Sequence, residues 1–190
     1  MDPFAQALRE LTTALESLEI RYAVGGSLAS STHGVYRATE DGDLVAEIHP
    51  FHLTRLASAL GPSWYAEVPA MESALRAGRA FNLIHIITAL KFDIFPATTD
   101  FHLAQLERAE RRRLRLEGAA PCWVTTVEDI LLAKLSWYRD GGEVSERQWR
   151  DIVGVASANP AMDQPYLQLW AGRLGVAALL AKAQAAQQSI

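Results

Sequence analysis

The sequence predicts an α+β protein: a small mixed β-sheet with flanking helices, followed by a helical C-terminal third. Three observations carry that expectation. Phe4, Leu8, Leu11, Leu15 and Leu18 recur at spacings of 4, 3, 4 and 3, which is one apolar helical stripe. The middle of the chain holds runs rich in β-branched and aromatic residues, Ala80 to Ile87 and Leu90 to Phe95. The final third carries helix caps and breakers, with Thr125 and Glu128 spaced as a capping box, then Gly141-Gly142 and Asn159-Pro160. The expected organisation is a core over residues 1–120 with a helical part, 121–190, packed on it as one compact unit.

The elements follow in order. Asp2 is placed to cap the first helix and Pro3 sits at its first position, where its missing N–H costs nothing. A strand is expected over Arg21 to Val24, broken by Gly25-Gly26, with a short helix over Ser27 to Thr32. Asp43 to Ile48 reads as the next strand, and Phe51 to Leu60 as a helix stopped by Gly61-Pro62. The two central runs are separated by Thr88-Ala89, so a hairpin is expected although the pair is not a favoured turn. Arg113 to Glu117 reads as a further strand. Helices are expected from the Thr125 cap to about Tyr138, over Ser145 to Ala156, and along the tail from Pro165 to Gln187.

Composition narrows the function classes. The chain has 190 residues, 49% of them apolar and 21% charged, with a mean hydropathy near zero, so it can bury a core and is neither disordered nor membrane-embedded. No apolar run approaches the ~20 residues of a spanning helix. Met1-Asp2-Pro3-Phe4 shows no basic stretch before an apolar one, so no signal peptide is expected. Cys122 is the single cysteine, which fits a reducing cytoplasm. A net charge of −4 argues against a general nucleic-acid coat but leaves local phosphate recognition open.

Three features point to chemistry. Val24-Gly25-Gly26-Ser27 lies between a strand and a helix, where glycine allows close backbone approach to a phosphate; an ordinary strand-to-helix turn reads the same way. Asp41-Gly42-Asp43 opens a strand, which puts two carboxylates on one face about 6–7 Å apart. Such a pair repels unless a cation bridges it, and magnesium suits a few carboxylates plus substrate phosphates; a solvated acidic turn is the alternative. Asp93 stands in the strand Leu90-Lys91-Phe92-Asp93-Ile94-Phe95, sharing a face with Lys91, either as a third carboxylate or as part of a polar sheet face.

Together these features resemble the nucleotidyltransferase superfamily, the polymerase-β-like fold. Gly26-Ser27 and Asp41-Gly42-Asp43 match its motif, with 13 residues between Ser27 and Asp41. Arg37-Ala38-Thr39-Glu40 before the acids resembles the small prokaryotic branch, where Arg-x-Thr stands there. Gly42 departs from the pattern, which places an apolar residue between the acids. Glu128-Asp129 through Lys134-Leu135, then Arg147 and Arg150-Asp151-Ile152, resemble the abortive-infection and toxin-like members. The resemblance spans about residues 21–153 and implies the minimal nucleotidyltransferase fold. It implies transfer of a nucleoside monophosphate from an NTP to an acceptor hydroxyl. Asp41, Asp43 and Asp93 would hold Mg2+ or Mn2+, with Lys134 and Asp151 completing the catalytic set. Gly25, Gly26, Ser27, Arg37 and Thr39 would meet the nucleotide phosphates. The acceptor implied is tRNA or protein, with an antitoxin partner if the chain is a toxin. A small antibiotic of the aminoglycoside or lincosamide kind is the alternative within the same chemistry.

The residues themselves leave several readings open. Lys134 has Ile130, Leu131, Trp137 and Tyr138 as helical neighbours, so its ammonium either snorkels outward or reaches a cleft. Asp151 lies one turn after Arg147, which also suits a surface ion pair. Arg111-Arg112-Arg113 with Arg115 reads as a solvated edge or an RNA-backbone contact. The histidines, His33 included, lack metal-ligand spacing, the tryptophans read as packing, and Ser27 has no His and Asp partners for hydrolase chemistry. A non-catalytic nucleotide-binding or interaction protein on the same fold is the reading from another class, and Gly42 is its motivation.

Overall fold

The computed structural model describes residues 2–32 and 41–187. Their order is α1 (Pro3–Ser17), β1 (Tyr22–Val24), α2 (Gly26–Thr32), β2 (Asp41–Ala46), α3 (Pro50–Leu60), β3 (Trp64–Tyr65), α4 (Val68–Arg76), β4 (Phe81–His85) and β5 (Leu90–Pro96). There follow α5 (Asp100–Arg108), β6 (Glu110–Arg113), β7 (Pro121–Val124), α6 (Val127–Asp140), α7 (Glu146–Ala158), α8 (Gln164–Leu174) and α9 (Ala177–Gln187). The strands form one mixed sheet in the order β3-β4-β5-β2-β1-β7-β6. β2 runs parallel to β5 and β1 parallel to β7; the other neighbours are antiparallel. This is the α+β architecture the patterning predicts.

α1 starts where the sequence places it: the Asp2 carboxylate accepts from the Phe4 N–H at 2.7 Å and Pro3 opens the helix. Its buried stripe of Phe4, Leu8, Leu11 and Leu15 joins Val24, Leu44, Phe92 and Ile94 in the main core. Strand alternation divides the β2–β5 pair into two faces. Gly42, Leu44 and Ala46 lie beside Phe92 and Ile94 on the buried face; Asp41, Asp43 and Val45 lie beside Lys91, Asp93 and Phe95 on the other. α5 covers part of the second face, where Leu106 packs with Ala23 and Val45.

Several expected boundaries move. β2 begins at Asp41, two residues early, because Gly42 enters the ladder opposite Phe92. β4 stops at His85, so the hairpin loop is longer than Thr88-Ala89; Ala89 takes a φ of 56° there and His85 Nδ1 pairs with Thr88 Oγ1 at 2.7 Å. The strand expected over Arg113 to Glu117 lies earlier, as β6, and its four residues are exposed at the sheet edge. Charged residues on an edge strand disfavour pairing with another chain. The α6 cap is Thr126, not Thr125: Thr126 Oγ1 accepts from the Asp129 N–H, while Thr125 N–H bonds the Val24 carbonyl and extends the β1–β7 ladder. The tail is two helices, since Gly175 adopts the left-handed conformation (φ 70°) that ends α8. β3, α4, α5 and β7 have no counterpart in the sequence reading. Each is short, and α4 buries only Met71, which leaves no periodic stripe to read.

Candidate active site

Strand register builds the site. β2 and β5 pair in parallel with Asp41 opposite Lys91 and Asp43 opposite Asp93, so four charged side chains form a two-by-two array on one face. Lys91 Nζ lies 2.9 Å from Asp93 Oδ2 and 3.8 Å from Asp41 Oδ1. That hydrogen bond to Asp93 raises the lysine pKa against the opposing pull of its burial. Burial, followed by the charges of Asp93 and Asp41, pushes the Asp43 pKa up to about 6; Lys134 and Lys91 offset part of the rise. Asp93 Oδ1 is buried with no hydrogen-bond partner among the described residues.

The glycine turn meets the array directly. The Gly25 N–H donates to the Asp43 carbonyl at 2.8 Å, which seats the turn on β2. Gly26 has a φ of 57°, and a Cβ there would lie 1.8 Å from Asp43 Oδ2. Only glycine lets the Asp43 carboxylate pack against this backbone. Ser27 follows in the first turn of α2. Arg37, Thr39 and His33 lie outside the described residues.

Gly42 is explained from the opposite face. A Cβ on it would lie 2.6 Å from Phe92 Cδ1 and 3.3 Å from Phe4 Cζ. The Phe92 ring therefore fills the space that an apolar side chain between the acids would take. β2 stays regular, and both carboxylates keep the same face.

The helical third contributes the remaining residues. Lys134 Nζ on α6 lies 3.8 Å from Asp151 Oδ2 on α7, both largely buried. The lysine is thus turned inward, close enough to Asp43 to depress its pKa. Glu128 and Asp129 serve a structural purpose. Asp129 accepts from the Tyr166 hydroxyl at 2.6 Å, Glu128 accepts from the Asp163 N–H at 3.0 Å, and the Arg108 guanidinium lies 3.8 Å from the Tyr166 ring centre. These contacts tie α5, α6 and α8 together. Arg111, Arg112 and Arg113 sit on edge strand β6, where they meet Glu16, Glu110 and the Ala119 carbonyl.

A cleft of about 540 Å³ opens beside the array, lined among others by Asp43, Phe95, His102, Gln105, Trp137 and Trp170. The Phe95 and Trp137 rings are 6.0 Å apart. Gln105 is 4% exposed, and burial lowers the His102 pKa. The sequence reading missed His102, Gln105, Trp137 and Trp170 as cleft residues, because they come from an unrecognised helix and from tryptophans that read as packing. It placed Lys91 beside Asp93 but gave it no role; the i, i+2 spacing was the available signal.

Among the described residues, no three His, Cys, Asp or Glu side chains are already grouped as a metal-ligand set. The donors nevertheless suit a hard cation. Three carboxylates share one face, one oxygen of Asp93 is unpartnered among the described residues, and burial together with mutual repulsion raises the pKa of Asp43.

No family model and no curated protein matches the chain. Solved structures do. The antibiotic-resistance factor ANT(2'')-Ia in solution superposes with a TM-score of 0.56 at 13% identity, covering 100% of this chain and 97% of its own. ANT(2'')-Ia in complex with adenylyl-2''-tobramycin gives 0.55 at 12% identity, over 90% and 95%. An antigenic nucleotidyltransferase-like protein from Paracoccidioides brasiliensis gives 0.54 at 20% identity, over 97% and 94%. The chain therefore has the nucleotidyltransferase fold, matched over at least 90% of its length and 94% or more of each neighbour's.

Proposed function

We propose that the chain is a metal-dependent nucleotidyltransferase that moves a nucleoside monophosphate from an NTP to an acceptor hydroxyl. The observation that carries this reading is the register of Asp43 with Asp93 on parallel neighbouring strands, with the Gly25–Gly26 turn packed on the Asp43 carboxylate. Magnesium or manganese held by Asp41 and Asp43 would offset the charge that develops on the transferring phosphoryl group. Asp93 stands beside them, either to complete the ligand set or to take the proton of the acceptor hydroxyl. The turn over Gly25, Gly26 and Ser27 presents backbone to the triphosphate. Lys134, steered by Asp151, adds positive charge next to Asp43, and Arg37 and Thr39 are carried as phosphate contacts by the resemblance alone. A bond forms between the acceptor oxygen and the α-phosphorus as the bond to pyrophosphate breaks.

The acceptor we favour is a small hydroxylated molecule, because the aromatic-walled cleft opens at Asp43 and has the volume of a small-molecule site. The antibiotic-resistance neighbour, solved with an adenylylated tobramycin, supports the same choice. The toxin-like reading, with tRNA or protein as acceptor and an antitoxin partner, is the competitor. Incubation with magnesium, each α-labelled NTP, and separate pools of aminoglycosides, lincosamides, tRNA and the protein itself tests both. Label on a small acceptor, lost in Asp43→Asn, supports the proposal. Label on tRNA or protein transfers the chain to the toxin-like reading. Binding of NTP without transfer to any acceptor supports the non-catalytic alternative.

A further inference from the structure

We infer that the carboxylate array takes a single divalent cation, and that the Lys91 ammonium stands where a second would sit. The inference rests on the nucleotidyl-transfer reading and deepens it. Phosphoryl-transfer sites that use two ions set them roughly 3.5–4 Å apart and share them between carboxylates. In this chain a lysine is built into the carboxylate array itself. Lys91 is the register partner of Asp41 and precedes Asp93 by two residues, so it shares their face. Its ammonium is 2.9 Å from Asp93 Oδ2 and 3.8 Å from Asp41 Oδ1, spanning the diagonal of the array.

Two consequences follow from charge and coordination. Lys91 offsets one of the three carboxylate charges of the array, which weakens its pull on a second divalent ion. A cation hydrogen-bonded to one oxygen of Asp93 also repels a metal ion brought to that carboxylate, and does so less at Asp41, 3.8 Å away, and at Asp43, across the array. Lys134 supplies further positive charge on the Asp43 side. Asp93 is then left as an anion oriented by Lys91, with Oδ1 unpartnered among the described residues. That assigns Asp93 the acceptor proton rather than a second metal, and makes Lys91 a positioning residue.

The test counts Mn2+ per chain by the electron-spin resonance of free ion, with one equivalent of a non-transferable NTP analogue present. The wild type is expected to hold one ion and Lys91→Met two. Lys91→Arg keeps the charge and is expected to hold one. Two ions on the wild type overturn the inference, and so does a count of one in Lys91→Met. If Lys91→Met does not fold, the wild-type count decides alone, one ion in support and two against. A wild type that binds the analogue but no Mn2+ overturns the metal-dependent reading itself, which is a different failure from a wrong count.

Discussion

β2 and β5 present two unlike faces to the rest of the molecule. On one, Leu44, Phe92 and Ile94 are fully buried, and Phe92 touches the rings of Phe4 and Trp64 at centroid distances of 5.2 and 5.4 Å. On the other, the same two strands hold Asp41, Asp43, Lys91 and Asp93 side by side. The first face stabilises the fold by removing apolar surface from water. The second works against it, since burial and then repulsion raise the pKa of Asp43. The contrast separates residues that hold the fold from residues that the proposed function uses, although they alternate along the same strands.

Asp43→Asn gives the largest expected effect and moves the two properties in opposite directions. If the proposed reaction is right, losing this carboxylate is expected to cost about 4 kcal/mol in the transition state, roughly a thousandfold in rate. Stability should rise at neutral pH. The folded-state pKa of about 6 lies above the ordinary aspartate value of 3.8, so between those values the native state holds a proton that the unfolded chain has released. Wild-type stability therefore falls as pH rises from about 4 to 6, by on the order of 3 kcal/mol, and stays reduced above that. Urea melts of wild type and Asp43→Asn at pH 4 and 7.5, without divalent metal, check this. Equal pH dependence in the two proteins would contradict the assignment.

Phe92→Ala attacks the other face. It is expected to lose about 3–5 kcal/mol of unfolding free energy, the usual cost of emptying a buried aromatic site. A loss below about 1 kcal/mol in the same melts would show that this face is not the stabilising one.

Gly42→Val probes the seam between the faces. The new side chain meets the Phe92 ring, so a loss of about 1–3 kcal/mol is expected. Phe92→Leu should recover part of it, and a double-mutant cycle with no coupling would show that the two positions are independent. Thr126→Ala is the smallest effect, about 1 kcal/mol from the lost α6 cap, readable as a modest drop in Tm.

What could be read in advance follows the same division. The α1 stripe, the Asp2 cap and the β4–β5 pair were legible, because each repeats a period over several residues. The alternation around Asp93 put Lys91 on its face, and the Asp41–Asp43 spacing put two acids together. Their meeting across β2 and β5 was not legible, because parallel register depends on contacts about 50 residues apart in sequence. The reason for Gly42 was equally hidden: it lies in the Phe92 ring, on another strand. Thr125 and Thr126 are adjacent and chemically alike, so only the β1–β7 ladder decides which of them caps α6. The cleft was illegible because α5 has no long stripe and Gln105 and His102 carry no motif.

The most direct test of the central claim follows α-labelled NTP with magnesium in wild type and Asp43→Asn, reading transferred label and released pyrophosphate together. The account predicts equal amounts of both in the wild type, and neither above background in a variant that is folded and more stable at neutral pH. Transfer by Asp43→Asn at the wild-type rate would contradict it, because the charged face of β2 and β5 would then not be where the chemistry takes place.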